Sequence, residues 1–432
     1  MTKEKFITST IILMIGGCLT KVLGMIIKIM MSRLMGTEGI GLYMLILPTF
    51  SLFIGLAQFG FPVAISKLVA EDKKNNKNLI FSLIPVSFCV NLLIIVFLLF
   101  FSPFLANNLL HEPRSYYALL AIGIVLPLTS LSGILRSYFF GKQRMLPHVV
   151  SNVTEDIIRL VLVVTGIPVF LAKGLEFAVA YVVLTNIISE LTSIIVLFFF
   201  LPKHFKITKK DMTFNPGYTK EALSISVPTT TGRLIGSIGY FLEPIILTSV
   251  LLFTGYSNQF IVREYGVLSG YVLPLLLLPS FFTMAISQAL LPIVSKAYSD
   301  HKVQYTKSKI RQAIFFCLLI GIPVTILFEL FPAFPLKFVY NTTEGIAYLR
   351  VLAPICLFQY IQAPLASSLD AMGQSKVNMK STFVGMILRT TLLFICSFLK
   401  IGLWGLVIAT SVSVLYQTLY DIKKVRTLLQ RA

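Results

Sequence analysis

The chain has 432 residues, 56% of them hydrophobic and 13% charged, with a mean hydropathy of +0.85. That balance leaves no room for a sizeable soluble domain and points to an all-α polytopic membrane protein. The net charge of +19 would suggest a nucleic-acid partner in a soluble chain, but here the basic residues sit in short loops between apolar runs, so no nucleic acid is expected.

Apolar spans of about 20 residues or more predict about twelve transmembrane helices. They lie near 6–33, 41–70, 79–106, 116–140, 147–171 and 175–201, then 221–253, 266–296, 310–338, 346–371, 377–400 and 402–423. Lys3 and Lys5 precede the first apolar run and no small-residue cleavage site follows, so the first helix is expected to remain as an anchor. That helix carries Lys21, Lys28 and Arg33. Lys21 and Lys28 are two turns apart and share a face with Gly17 and Gly24. A lysine at bilayer depth costs about 2.5–3.5 kcal/mol on insertion scales, so these two are expected to line a water-filled cavity. Arg33 is expected to snorkel to the headgroups.

Further along, Arg136 stands near the end of the fourth span and is also expected to snorkel. Glu155 lies two turns inside the fifth span with Arg159 four residues on, a spacing at which the two can neutralise each other. Asp156 points about 100° away from Glu155 and needs a different partner. Glu190, Glu329 and Arg389 lie inside later spans, and the seventh carries both Arg233 and Glu243. Cys18, Cys89, Cys317, Cys356 and Cys396 lie inside apolar runs and read as small core residues. Pro and Gly interrupt many spans, as in the broken helices of transporters, although membrane helices are rich in both.

Lys and Arg are biased to alternate loops, with twenty-two on one side against Arg114, Lys173, Arg263 and Lys400 on the other. The positive-inside rule then places both termini and the 202–220 loop in the cytoplasm. This loop reads as a linker between two halves, 1–201 and 221–432, or as a basic patch for anionic lipid headgroups. The halves resemble each other. SKLVAEDKK at 66–74 matches SKAYSDHKV at 295–303, and the segment ending at Arg159 matches the one ending at Arg389, both about 230 residues apart. TKVLG at 20–24 matches GRLIG at 232–236, pairing Lys21 with Arg233. Parallel repeats of this kind predict two pseudo-symmetric six-helix lobes around a central cavity, whose cationic lining would suit a phosphate or pyrophosphate. The chain has no Walker motif, its four histidines lack metal-ligand spacing, and no large loop exists to fold over a sugar donor, so an enzyme, a metal and a cofactor are not expected.

LTKVLGMIIKIMMSRLMGTEGIGLY, GFPVAISKLVAE, GKQRMLPHVVSNVTEDIIR, ISVPTTTGRLIG and LPLLLLPSFFTMAISQALLPIVSKA, in this order, resemble the multidrug/oligosaccharidyl-lipid/polysaccharide exporter superfamily. Within it they are similar to the stage V sporulation protein B branch, close to the lipid II flippases. The resemblance implies two lobes alternately open to either side of a bacterial cytoplasmic membrane, and a polyprenyl-pyrophosphate-linked glycan as substrate. It implies essential cations on the first helix. Lys21 occupies the first such position, and the second falls at or next to Ile27, beside Lys28. Fourteen spans are frequent in this branch, against the twelve counted here.

The expected function is therefore a flippase moving a peptidoglycan precursor or a related envelope glycan. Lys21, Lys28, Arg233, Arg159 and Arg389 would hold the pyrophosphate, with Glu155, Asp156 and Glu243 as charge or coupling partners. A coupling ion or the membrane potential would drive it. The alternatives are a cation-coupled multidrug antiporter of the same superfamily, or a non-transporting scaffold that recruits cell-wall synthesis proteins.

Overall fold

A computed structural model describes residues 3–71, 75–201, 208 and 211–431, and the side chains of 12–71, 75–201, 208, 211–234 and 236–430. Lys3, Lys5, Arg431 and the loop lysines 73, 74, 203, 206, 209 and 210, all counted in the charge bias, fall outside the described side chains. No strand occurs among the described residues. Runs this apolar are stable only where every backbone polar group is paired within the segment, and a helix does that without a neighbour.

Ten helices are long and apolar enough to cross a membrane among the described residues, which makes the chain a multi-pass membrane protein. Two features relate that number to the twelve expected spans. Helix α1 (Lys3–Gln58) is 56 residues long. At 1.5 Å per residue it extends about 84 Å, against a hydrocarbon core of about 30 Å, so it contains two crossings. They are divided at Gly36, whose φ of 68° and ψ of −172° belong to a region that only glycine enters freely. Helix α5 (Met145–Leu171) is the other, since Glu155, Asp156 and Arg159 put three charges in its middle.

Two expected spans are subdivided. The span at 41–70 breaks after Gln58, where Phe59 and Gly60 both take left-handed backbone, and resumes as α2 (Phe61–Ala70) with Pro62 in its first turn. The span at 266–296 is preceded by α8 (Asn258–Tyr265), starts as a π-helix over Gly266–Val272, passes through α9 (Leu273–Leu276) and a turn ending at Pro279, and continues as α10 (Ser280–Ser299). Pro274 and Pro279 lack the N–H that a continuous helix would need there.

The chain separates into two compact units, Met1–Ile245 and Ile246–Ala432. In the first, α3 (Asn76–Phe104), α4 (Tyr116–Gly141), α5 and α6 (Leu175–Phe199) pack with α1 and α2. Close approaches occur at glycine. A Cβ on Gly141 would stand 2.8 Å from the Ser66 carbonyl, and one on Gly16 would run into Val149. The opening of α7 (Pro216–Phe253) belongs here too: Ala222 is fully buried in a cluster with Phe61, Ile65, Leu79 and Ile134. In the second unit, α11 (Val303–Leu330), which the short α12 (Ala333–Tyr340) follows, α13 (Ile346–Ala371) and α15 (Trp404–Arg431) surround Leu290 and Val294 of α10, and α14 (Ser375–Ser397) lies on α15.

The backbone repeats the pattern seen in the sequence. Helix α4 starts at 116 and α13 at 346; α5 starts at 145 and α14 at 375. The left-handed residues His111 and Gln143 stand before α4 and α5 as Asn341 and Gly373 stand before α13 and α14.

The connection into α7 is strapped to the start of α3. Asn75 caps α3 and donates from its amide to Asp211 at 2.8 Å, while Asn78 donates to the Thr213 carbonyl at 2.7 Å and the Asn215 N–H to Ser82 at 2.9 Å. Donation from the Thr208 N–H, then from Asn75 and the Thr208 hydroxyl, pulls the Asp211 carboxyl down to about 2. Asp211 therefore contributes stability that is complete above its ordinary value near 4, fades as the pH falls, and is gone below about 2. The strap should resist limited pepsin digestion at pH 4 and open toward pH 2, whereas D211N should be cut at pH 4 as well.

Candidate functional site

Three helices of the first unit bring charged side chains together. Arg136 leaves α4 about one and a half turns before its end at Gly141. Its Nη2 donates to Glu155 Oε2 on α5, to Glu190 Oε2 on α6 at 3.0 Å and to Ser193 Oγ at 2.7 Å. Glu155 takes a second guanidinium on its other oxygen, Oε1, from Arg159 Nη2. Arg159 Nη1 also reaches Asp156 Oδ1 at 3.4 Å, and Ser132 donates its hydroxyl to Glu190. The Glu155 and Glu190 side chains are only 9% and 5% exposed, so each depends on these partners.

The expected pair at Glu155 and Arg159 is present. Asp156 does not turn to a different partner, because Arg159 is long enough to span both the i+3 and i+4 spacings. Arg136 departs from its expected snorkelling. Two carboxylates hold it inside the bundle, and a guanidinium that would otherwise seek water is compensated there.

Beside this cluster a cavity of about 720 Å³ opens at the end of the unit that carries the 142–144 turn and the end of α2. Four basic side chains line it: Lys67 of α2, Arg136 of α4, His148 of α5 and Arg233 of α7. Gln58, Ser66, Ser137 and Gln143 add neutral hydrogen-bonding groups, and Phe140 and Met145 form an apolar wall. No carboxylate lines it among the described residues. The His148 ring meets Phe140 edge-on at 5.9 Å between centroids, and its Nδ1 is buried with no hydrogen-bond partner among the described residues. The same holds for Nε of Arg136. Converging basic side chains suit a ligand with several anionic oxygens, above all a phosphate or diphosphate.

Of the residues singled out in the sequence, the structure brings Arg233 to this cavity and Glu155, Asp156 and Arg159 to the cluster behind it. Lys21 and Lys28 stand on α1 and do not line it. Lys21 is exposed; Lys28 is half-buried and makes no ion pair or hydrogen bond among the described residues. A Cβ on Gly17 or Gly24, which share their face, would meet nothing within 4 Å. Glu243 is buried on α7. Arg389 lies on α14 of the second unit, where Gly385 and Met386 replace the two carboxylates that flank Arg159. Gln417 instead packs against Gly385, with its Nε2 where a Cβ would stand, and accepts from Gln362 at 2.6 Å.

Sequence reasoning missed Lys67, Arg136 and His148 as neighbours. Depth was the available signal. Measured from the helix ends on one side of the bundle, Gly141, Met145 and Phe199, the residues Arg136, Glu155 and Glu190 are set back by about 5, 10 and 9 positions, which puts a long arginine and two shorter acids on one level.

Comparison with known proteins gives this geometry its family. Residues 6–298 match the model of the polysaccharide biosynthesis protein family, and 268–395 match the MatE model. Stage V sporulation protein B of Bacillus subtilis (strain 168) is 35% identical over 431 residues, covering 97% of this chain and 83% of that protein. Lipid II flippase MurJ of the same organism is 22% identical over 419 residues, covering 90% and 77%. The fold is similar to that of a solved multidrug resistance MATE family transporter of the MOP superfamily, with a TM-score of 0.70 at 17% identity and 96% of each chain covered. A family match over well over half its length, joined to two repeated helical halves, places the chain in the polysaccharide biosynthesis protein family of the MOP exporter superfamily of transporters.

Proposed function

We propose that this transporter is a flippase for a polyprenyl-diphosphate-linked glycan, a peptidoglycan precursor or a related envelope saccharide, carried from the inner to the outer leaflet of a bacterial cytoplasmic membrane. The observation that carries this reading is the cavity lined by Lys67, Arg136, His148 and Arg233 with no carboxylate in its wall among the described residues. A diphosphate is the part of such a substrate that pays most to leave water, and guanidinium and ammonium groups replace its hydration with charge-assisted hydrogen bonds. By the positive-inside rule the cavity mouth and both termini face the cytoplasm, where such precursors are assembled. Lys21 and Lys28, on the open glycine face of α1, offer the diphosphate a further station along its route. Glu155, Asp156 and Glu243 balance these charges. The membrane potential is a sufficient drive, since each elementary charge moved is worth about 2.3 kcal/mol per 100 mV.

Of the relatives named above, lipid II flippase MurJ supports the substrate class. The test is exposure of lipid II on the outer face of cells depleted of their other flippases. The wild-type chain should restore exposure, and K67A and R233A, both inserted at wild-type levels, should not. Full restoration by both variants would remove the cavity from the mechanism.

One observation favours a second reading, a cation-coupled drug antiporter. The cluster contains three carboxylates, Glu155, Asp156 and Glu190, against two guanidiniums, Arg136 and Arg159, which leaves one negative charge for a proton or metal cation. Drug susceptibility separates the two. An antiporter protects cells against cationic compounds and loses that protection in E190Q, whereas a glycan flippase gives none.

A further inference from the structure

The reading of the cavity as a diphosphate site leaves open why Arg136 is bonded as it is. All of its hydrogen bonds among the described residues leave from one nitrogen. Nη2 meets Glu155, Glu190 and Ser193, while Nε is buried without a partner and Nη1 makes no hydrogen bond among those residues. A guanidinium has five N–H donors in a rigid plane, so gripping one edge fixes the direction of the rest. Arg136 also lines the cavity, and the carboxylates that grip it do not.

We propose that Glu155 and Glu190 are positioning residues, which clamp Arg136 by Nη2 and so turn its Nη1–H donors toward a diphosphate in the cavity. This rests on the proposed function and extends it, since it gives the carboxylates a role in binding an anion that they would repel if they touched it. The clamp is itself held. Ser132 donates to the same Glu190 oxygen that receives Arg136, and Arg159 takes the opposite oxygen of Glu155. With both acids fixed, the guanidinium enters the cavity pre-organised, and no rotamer freedom is lost when the ligand arrives. A lysine at this position would keep the charge and lose the fork, because an ammonium cannot present one edge to a carboxylate pair and another to a diphosphate.

The test is a double-mutant cycle on the full chain in lipid nanodiscs, with inorganic pyrophosphate as the titrant and ligand-free melting as a separate readout. E190A should weaken pyrophosphate binding about tenfold, in line with the loss of a charge-assisted contact. In an R136Q background E190A should cause no further loss, since Glu190 acts only through Arg136. E190Q keeps an acceptor and the side-chain volume, and should stay within about threefold of the wild type, as the weaker neutral hydrogen bond allows. If E190A fails to fold, E190M, which fills the site without an acceptor, is the test and should show the same loss of about tenfold. A merely structural Glu190 would lower the melting temperature and weaken binding equally in both backgrounds. Equal losses, or unchanged binding in E190A, would overturn the positioning role while binding still depended on Arg136 and Lys67. Binding indifferent to both Arg136 and Lys67 would overturn the reading of the cavity as well.

Discussion

R233A should abolish glycan transport and leave the melting temperature unchanged, whereas R136A should lose both transport and stability. The two arginines line one cavity but stand in different surroundings. Arg233 is exposed on α7, and no salt bridge holds its side chain among the described residues. Its removal costs only the ligand: one charge-assisted interaction of about 1.5–3 kcal/mol, a loss of roughly 10- to 150-fold. Arg136 carries the additional duty of compensating Glu155 and Glu190. Removing one partner of a buried ion pair typically costs about 3–5 kcal/mol, because the remaining charge stays out of water. The contrast is measured by thermal unfolding in detergent beside lipid II exposure in cells. If R136A melted with the wild type, the cluster would be no more than a set of solvated ion pairs.

Glycine 60 is the position where a single methyl group is expected to do most damage. It sits at φ 65° between α1 and α2, and a Cβ there would stand 2.5 Å from the Ser226 carbonyl oxygen and 2.8 Å from Thr230 Oγ1. Left-handed backbone costs an L-residue about 1–2 kcal/mol, and forcing atoms into a packed interface adds about 1–3 kcal/mol. The carbonyl belongs to the α7 backbone and cannot swing away as a side-chain tip would. G60A should therefore lose about 2–5 kcal/mol, seen as a large drop in melting temperature and in monodisperse yield. G17A and G24A are the controls. Both glycines are helical with open space at the Cβ, so alanine there should hold stability within about 1 kcal/mol. A G60A protein as stable as these two would mean that α7 does not press on the 58–60 break.

Much of the architecture was legible because the membrane makes it so. Apolar length fixes where helices cross, and the 230-residue repeat in the sequence returns as matched helix starts at 116 and 346 and at 145 and 375. What periodicity hides is pairing between helices. Arg136 and Glu190 are 54 residues apart and share no motif, so the arginine reads as a snorkelling end residue until α6 is laid beside α4. Glu155 and Arg159 were readable because four residues is a helical neighbour distance. The break at 58–60 was missed because Phe59–Gly60 lies within an otherwise continuous apolar run, and Pro62 is equally at home in the first turn of a new helix. Lys67 stands in the SKLVAEDKK segment with no motif to mark it, and only the fold of α2 against α4 brings it to the same space as Arg136.

The packing of α7 also bears on how the protein is made. Its opening residues, with Ala222 at their centre, cover apolar surface on α2, α3 and α4, and the strap from Asp211 to Asn215 guides them there. A nascent chain leaving the ribosome with only its first six spans would expose that surface, and the translocon would have to shelter it until α7 emerged. Synthesis halted after residue 201 should yield a product that membrane quality-control proteases remove quickly, and synthesis halted after 253 a longer-lived one. The earliest intermediate able to persist is thus set by when the ribosome delivers α7.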